Sequence, residues 1–247
     1  MSNEDPSQSL VAAYYADPAR RLKANRDLFN KSAPHYDWVN GLFSLGSGAW
    51  YRRFCLRRAG LKPGAKVVDV AVGTGLLARE AVAITGDRGA VIGIDVSEAM
   101  LAIARKNLGI ALIQGAAEAL PLAPGIADFV TMGYALRHVA DLPAAFREAF
   151  RVLRPGGTIL LIEMSAPRRR IVRALASAYI GKILPLLSLL TRDKGARTLM
   201  RYHWETIAGY MPPDAVLRVM AESGFENLAC TNYVDLFQHY IGRKAGG

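Results

Sequence analysis

Lys66-Val-Val-Asp-Val-Ala-Val-Gly-Thr-Gly75 is the stretch on which the fold turns. Lys66 to Ala71 is short, apolar and β-branched, which predicts a buried strand. Gly73 and Gly75 permit a tight turn and the close approach of a ligand to the backbone. Residues 76–84 (LLAREAVAI) then predict a helix, so the loop sits where a strand hands over to a helix. Asp95 follows Gly75 by 20 residues. It ends a second predicted strand, Ala90 to Asp95, where a carboxylate can accept two hydrogen bonds from a ribose diol. Loop and acid together predict a ribose-bearing ligand at the carboxyl edge of a sheet.

Outward from this centre the alternation continues. Ser97 is a plausible N-cap for a helix to about Lys106. Residues 110–114 and 128–132 predict two further strands, Asp141 caps a helix to about Val152, and PGGTILLIE (155–163) reads as a turn and a strand. This order predicts an α/β, Rossmann-like, doubly wound sheet. Pro212-Pro213 opens another helix, and residues 225–243 read as two strands, giving seven strands with an antiparallel C-terminal hairpin. Residues 1–17 read as a mobile tail and 18–60 as substrate-covering helices with a turn-rich centre at Gly41, Gly46 and Gly48. Residues 61–247 form the sheet domain, with a helical insertion at about 169–208.

Two ligand classes fit the glycine loop. Gly73-x-Gly75-x-x-Ala78 also satisfies the dinucleotide fingerprint. Asp69 favours S-adenosylmethionine instead, because a carboxylate at the strand end repels a pyrophosphate and suits a sulfonium and an ammonium group. Glu118, in AAEALPL after the third strand, falls where a loop contacts an adenine. No His/Cys/Asp cluster has metal-ligand spacing, so no metal is expected.

With 247 residues, 51% hydrophobic and 21% charged, the chain is long enough for one large domain and too apolar for a disordered one. Its two cysteines, Cys55 and Cys230, exclude a disulfide scaffold and suit a reducing cytoplasm. No secretion signal and no apolar run long enough to span a bilayer are read in it. The net charge of +10 is uneven: residues 151–201 hold eleven Lys/Arg against two Asp/Glu, while residues 61–150 hold eight against nine. Nucleic acid is not the expected partner, because the Asp/Asn-Pro-Pro-aromatic motif of nucleobase amino-methyltransferases is absent after the fourth strand, where YALRH (134–138) stands. Residues 168–201 combine nine Lys/Arg with the apolar run ILPLLSLL (183–190). That composition predicts a segment lying on an anionic membrane surface, and hence a cytoplasmic protein peripheral to the inner face of a membrane.

From about Phe29 to Lys244 the chain resembles the UbiE-type ubiquinone/menaquinone C-methyltransferases. YDWVNGLFSLGSGAW (36–50) is similar to the family's first motif, with Val39 for its Met and no histidine between Ser44 and Trp50. RVLRPGGTILLIEMS (151–165) matches the second closely, with Arg154 where Lys is usual, and AEALP (117–121) and LRHV (136–139) also match. His138 replaces the family's Asn, and Gly133 stands where many members have Ser. The resemblance implies S-adenosylmethionine contacts at Thr74, Asp95, Ala116, Ala117 and Gly133; the motifs add Asp69, Ala71, Gly73 and Gly75. It also implies methylation of a ring carbon of a membrane-soluble, prenylated quinol precursor, with a homo-oligomer or a quinone-biosynthesis complex as a further expectation.

A ring carbon becomes nucleophilic when an adjacent hydroxyl loses its proton, and histidine titrates in the right range for a base. Arg137 is therefore expected to orient a water or the ring oxygen, His138 or that water to take the proton, and Tyr36 to close over the transferring methyl. A structural reading pairs Arg137 with Asp141 instead. Alternative functions are a methyltransferase for another lipophilic acceptor such as a phospholipid amine, a non-catalytic S-adenosylmethionine-binding protein, and a dehydrogenase.

Overall fold

The computed structural model describes residues 18–44, 46–165, 167–179, 206–207 and 211–246. The tail 1–17, the run ILPLLSLL and the basic residues beyond Tyr179 that the charge argument used lie outside them.

Seven strands form one sheet: β1 (Val67–Val70), β2 (Val91–Asp95), β3 (Ala111–Gln114), β4 (Ala127–Gly133), β5 (Leu153–Met164), β6 (Glu226–Tyr233) and β7 (Phe237–Arg243). Their spatial order is β3-β2-β1-β4-β5-β7-β6. The first five are parallel, and β7 runs antiparallel to β5 and β6. Order reverses between β1 and β4, so their carboxyl ends open the crevice where ligands bind in such sheets. This is the doubly wound, seven-stranded sheet with an antiparallel C-terminal hairpin that the alternation predicts.

The helices are α1 (Pro18–Ser44), α2 (Gly48–Arg58), α3 (Leu76–Thr85), α4 (Glu98–Asn107), α5 (Leu142–Val152), α6 (Arg170–Ala178) and α7 (Pro213–Glu222). Ser97 caps α4 by accepting from the Met100 N–H at 3.2 Å, and Asp141 caps α5 through the Ala144 N–H at 2.9 Å. The β-period of two sends alternate side chains to opposite layers. Val68, Val70 and Leu161 meet Phe146 of α5 and Met220 of α7 on one face. Val67, Leu160 and Ile162 meet Leu56 of α2, Leu77 of α3 and Leu101 of α4 on the other.

Two sequence expectations shift. Gly41 lies inside α1, which runs unbroken through Pro34 to Ser44, so the turn-rich centre shrinks to the few residues before α2. The Pro155-Gly156-Gly157 turn is absorbed into β5, which holds Gly156 at φ 77° while the pairing with β4 slips between Ala127 and Phe129. A bulge of this kind accommodates an extra residue without ending the strand. No helix among the described residues is long and apolar enough to cross a membrane.

Candidate active site: two chambers at the carboxyl edge

The glycine loop is shaped by three left-handed residues, Ala71 (φ 56°), Gly73 (φ 56°) and Gly75 (φ 92°). A side chain on Gly75 would meet Leu108 Cδ1 at 2.2 Å, so packing of the loop against the end of α4 demands glycine there. Among the described residues, a Cβ on Gly73 would find only Tyr36 within 4 Å, at 3.9 Å. Ala71 carries its left-handed strain without being glycine, as residues at ligand clamps often do.

Asp95 is folded into the same loop. Its Oδ2 accepts the Gly73 N–H at 2.8 Å and its Oδ1 the Ser97 N–H at 2.8 Å. A carboxylate has about four lone-pair sites, so each oxygen retains capacity toward the cavity. Burial pushes its pKa up to about 6. Asp69 lies one strand over, 1% exposed. Its register partner in β4, Thr131, donates a hydroxyl to Oδ1 at 2.7 Å, while Oδ2 is buried without a well-formed hydrogen bond. Burial raises this pKa to about 7.

Two chambers open at this edge. The first is lined by Ala71, Gly73, Asp95, Ala117, Glu118, Gly133 and His138 among others. The second is lined by Arg52, Arg137, Met164, Ile207 and Phe237 among others. Tyr36 and Tyr134 belong to both and form the partition. Tyr134 follows the end of β4 at φ 60°, and burial raises the phenol pKa of both tyrosines.

Helix α1 roofs the first chamber with Leu22, Asn25, Phe29 and Tyr36, residues that recur on one helical face. The roof is strapped to three loops beneath it. Arg21 Nη2 donates to the Arg137 carbonyl at 2.8 Å and Asn25 Nδ2 to the His138 carbonyl at 2.5 Å. Asn30 Oδ1 accepts from Ser97 Oγ at 2.6 Å and the Ala99 N–H at 3.3 Å. Thr74 Oγ1 donates to Asp37 Oδ1 at 2.5 Å.

Of the residues expected to hold the cofactor, Ala71, Gly73, Asp95, Ala117 and Gly133 line the first chamber. Asp69 is buried in β1 among strands, Thr74 and Gly75 shape the loop from behind, and Ala116 bridges to Ala119 within its own turn. Glu118 also locks this wall: its Oε1 accepts the Ala140 N–H at 2.8 Å. Of the three residues given to chemistry, Tyr36 stands in the partition, Arg137 lines the second chamber and His138 lines the first. The His138 ring sits edge-on to Phe29, with centroids 5.1 Å apart. Arg137 pairs with Glu163 of β5, both buried, and not with Asp141, which spends its carboxylate on the α5 cap. Sequence reasoning missed Glu163, Arg52 and Met100, which only the fold brings to the site; α1, among the helices expected to cover the substrate, lies over the first chamber.

These residues fit S-adenosylmethionine. Gly73 leaves the floor open, Asp95 offers two half-satisfied oxygens for a ribose, and two desolvated carboxylates favour a ligand bearing positive charge. A seven-stranded sheet with β7 antiparallel, a glycine loop after β1 and an acid ending β2 define a class I S-adenosylmethionine-dependent methyltransferase. Solved structures agree on the fold. A methyltransferase from Aquifex aeolicus superposes with a TM-score of 0.57 at 18% identity, covering 78% of this chain and 88% of that one. The phosphoethanolamine N-methyltransferase 2 of Haemonchus contortus, in complex with S-adenosylhomocysteine, gives 0.61 at 16% identity, covering 89% and 60%. Sequence carries the assignment further. Residues 19–237 match the ubiE/COQ5 methyltransferase family. The ubiquinone/menaquinone biosynthesis C-methyltransferase of Shewanella halifaxensis is 35% identical over 94% of this chain and 95% of its own length. Its counterpart in Shewanella frigidimarina is 31% identical over 95% and 96%. The chain belongs to the ubiE/COQ5 methyltransferase family.

Proposed function

We propose that the protein transfers a methyl group from S-adenosylmethionine to a ring carbon of a membrane-soluble, prenylated quinol precursor; its Shewanella relatives are named ubiquinone/menaquinone biosynthesis C-methyltransferases. The observation that carries this reading is the second chamber. It abuts the cofactor chamber across Tyr36 and Tyr134, and its walls combine Met164, Ile207 and Phe237 with two arginines. Apolar walls suit an aromatic ring, and guanidinium groups suit its oxygens. Arg52 disfavours an ammonium group beside it, which ranks the phospholipid-amine alternative second.

When bound, S-adenosylmethionine supplies an electrophilic methyl group. Asp95 and the loop at Gly73 hold the ribose end, with Ala71, Ala117 and Gly133 along the wall and Asp69 beneath. Thr74, Gly75 and Ala116 keep that wall in shape. On the acceptor side Arg137, held by Glu163, orients the ring oxygen or a water. Tyr36 closes over the reacting carbon and excludes bulk water. His138 faces the cofactor, and we assign it there: His138→Ala should raise the cofactor KM more than it lowers kcat. The inverse split would return the base role to it.

The acceptor is delivered from an anionic membrane surface. Ile171 and Leu175 of α6 are 76% and 66% exposed, on a helix carrying Arg170 and Arg173, and Arg168 and Arg169 precede it. Apolar side chains flanked by cations suit a lipid interface.

The deciding experiment incubates the purified protein with methyl-labelled S-adenosylmethionine and a reduced total lipid extract, then separates neutral quinones from polar phospholipids. Label on a quinone ring carbon is the expected result. Label among the polar lipids would replace the acceptor with an amine or hydroxyl, and no label with intact cofactor binding would move it outside the extract.

A further inference from the structure

Arg52 is the unusual group of the second chamber. It sits on α2, 8% exposed, and its Cζ lies 5.4 Å from the centre of the Tyr134 ring. Among the described residues no carboxylate or carbonyl takes a hydrogen bond from it. Its neighbours differ: Arg137 is paired with Glu163, and Arg53 donates to Glu80 at 2.6 Å. A guanidinium stays charged at any physiological pH, and burying one without an anion is costly, as for other buried ions. The cost is offset when a ligand brings the missing negative oxygen.

The surroundings support that role. Chain space is cleared for the guanidinium by Gly48, where a Cβ would stand 2.7 Å from Arg52 Nη1. Among the described residues, the ionisable groups around the chamber leave it without an anion. Glu163 is committed to Arg137, and Tyr36 and Tyr134 are phenols whose burial raises their pKa, so both are neutral. Asp69 feels the Arg52 charge as a pull that lowers its pKa, but it lies in the sheet and does not line the chamber.

We propose that Arg52 is the oxyanion-binding residue of the acceptor chamber, so that the acceptor is held as an anion with its negative oxygen on the Arg52 guanidinium. The inference rests on the reading that this chamber takes the acceptor. The oxygen comes from one of two sources, an ionised ring hydroxyl or a carboxylate on the ring. In the first case the O–H bond breaks, the proton passes to bulk solvent, and the oxygen keeps the electron pair that enriches the adjacent carbon. Arg137, already neutralised by Glu163, is left to orient.

The test uses the full chain saturated with S-adenosylhomocysteine and nitronaphthol, a chromophore whose absorbance reports its ionisation. Wild type should bind the naphtholate and lower its apparent pKa. Arg52→Gln should weaken naphtholate binding by about tenfold or more, as expected for loss of a hydrogen bond between charged groups. Arg52→Lys should recover part of the affinity. Gly48→Ala, which displaces the guanidinium without removing it, should weaken binding with the S-adenosylhomocysteine affinity unchanged, and serves if Arg52→Gln does not fold. Naphthoate is the second arm: displacement of naphtholate at equal affinity supports the proposal with a carboxylate source, and its failure to compete supports it with a ring oxygen. Naphtholate binding unaltered in the Arg52 and Gly48 variants overturns the proposal and leaves the quinol reading standing. No binding by wild type overturns both, and label on a quinone ring carbon in the lipid experiment still judges the reading by itself.

Discussion

Asp69 and Asp95 are carboxylates that burial holds near neutrality, at about 7 and about 6. A folded pKa above the unfolded one stabilises the fold at low pH, and this contribution is lost as pH rises through the folded value. The ligand-free protein should therefore lose stability from pH 5 to 7.5 relative to an Asp69→Asn, Asp95→Asn variant, in thermal melts. A positively charged ligand lowers both pKa values, so binding of S-adenosylmethionine near pH 6.5 should expel protons. Calorimetric titrations in buffers of different ionisation enthalpy measure this directly; a heat independent of the buffer would contradict it. Glu163 poses the opposite problem. Fully buried against Arg137, it cannot be replaced cheaply: Glu163→Gln should cost about 3–5 kcal/mol in denaturant unfolding, and a loss below about 1 kcal/mol would mean that the pair is not the main partner of that guanidinium.

Elements differ in how plainly the sequence announces them. β1, α3, β2, α4 and α5 fall within a residue or two of their expected bounds, because each is set by local signals: β-branched runs, the glycine loop, and Ser97 and Asp141 as caps. Gly156 misleads for a physical reason. A left-handed glycine usually ends a strand, but here the antiparallel partner β7 keeps pairing along β5 from Thr158, and the Lys244 and Ala245 carbonyls take the Gly156 N–H. The same limit governs the site. Asp69, Gly73 and Asp95 are legible because strand, loop and acid are neighbours in sequence. Arg52 and Glu163 are not, since what defines them is a partner present or absent across the sheet. Element α6 permits its own test. Ile171→Glu with Leu175→Glu, or neutral replacements of Arg168, Arg169 and Arg170, should each reduce sedimentation with phosphatidylglycerol vesicles several-fold. Binding unchanged in both sets would detach α6 from the lipid surface.

At the scale of the whole molecule, the fold separates two chambers by one wall and covers the first with a long helix. Tyr36 is the joint between these roles: it hangs from the roof and stands in the partition. Its replacement by Phe keeps the partition but removes the hydroxyl, and should leave cofactor affinity within about threefold, whereas Tyr36→Ala opens the wall and should raise the uncoupled hydrolysis or slow transfer at saturating cofactor. Charge is distributed by the same division. Among the described residues, the arginines that reach the interior, Arg52 and Arg137, both face the second chamber.

The straps from Arg21, Asn25, Asn30 and Asp37 have a kinetic meaning. One helix is bonded to three loops at once, so release from the first chamber, where we propose that the cofactor binds, calls for several hydrogen bonds to break together. The first methylation by a preloaded enzyme should thus outrun every later one, giving a pre-steady-state burst close to one product per active site. Asp37→Ala, which frees the helix from Thr74 at its far end, should shrink the burst by quickening release and leave the first turnover at its former speed.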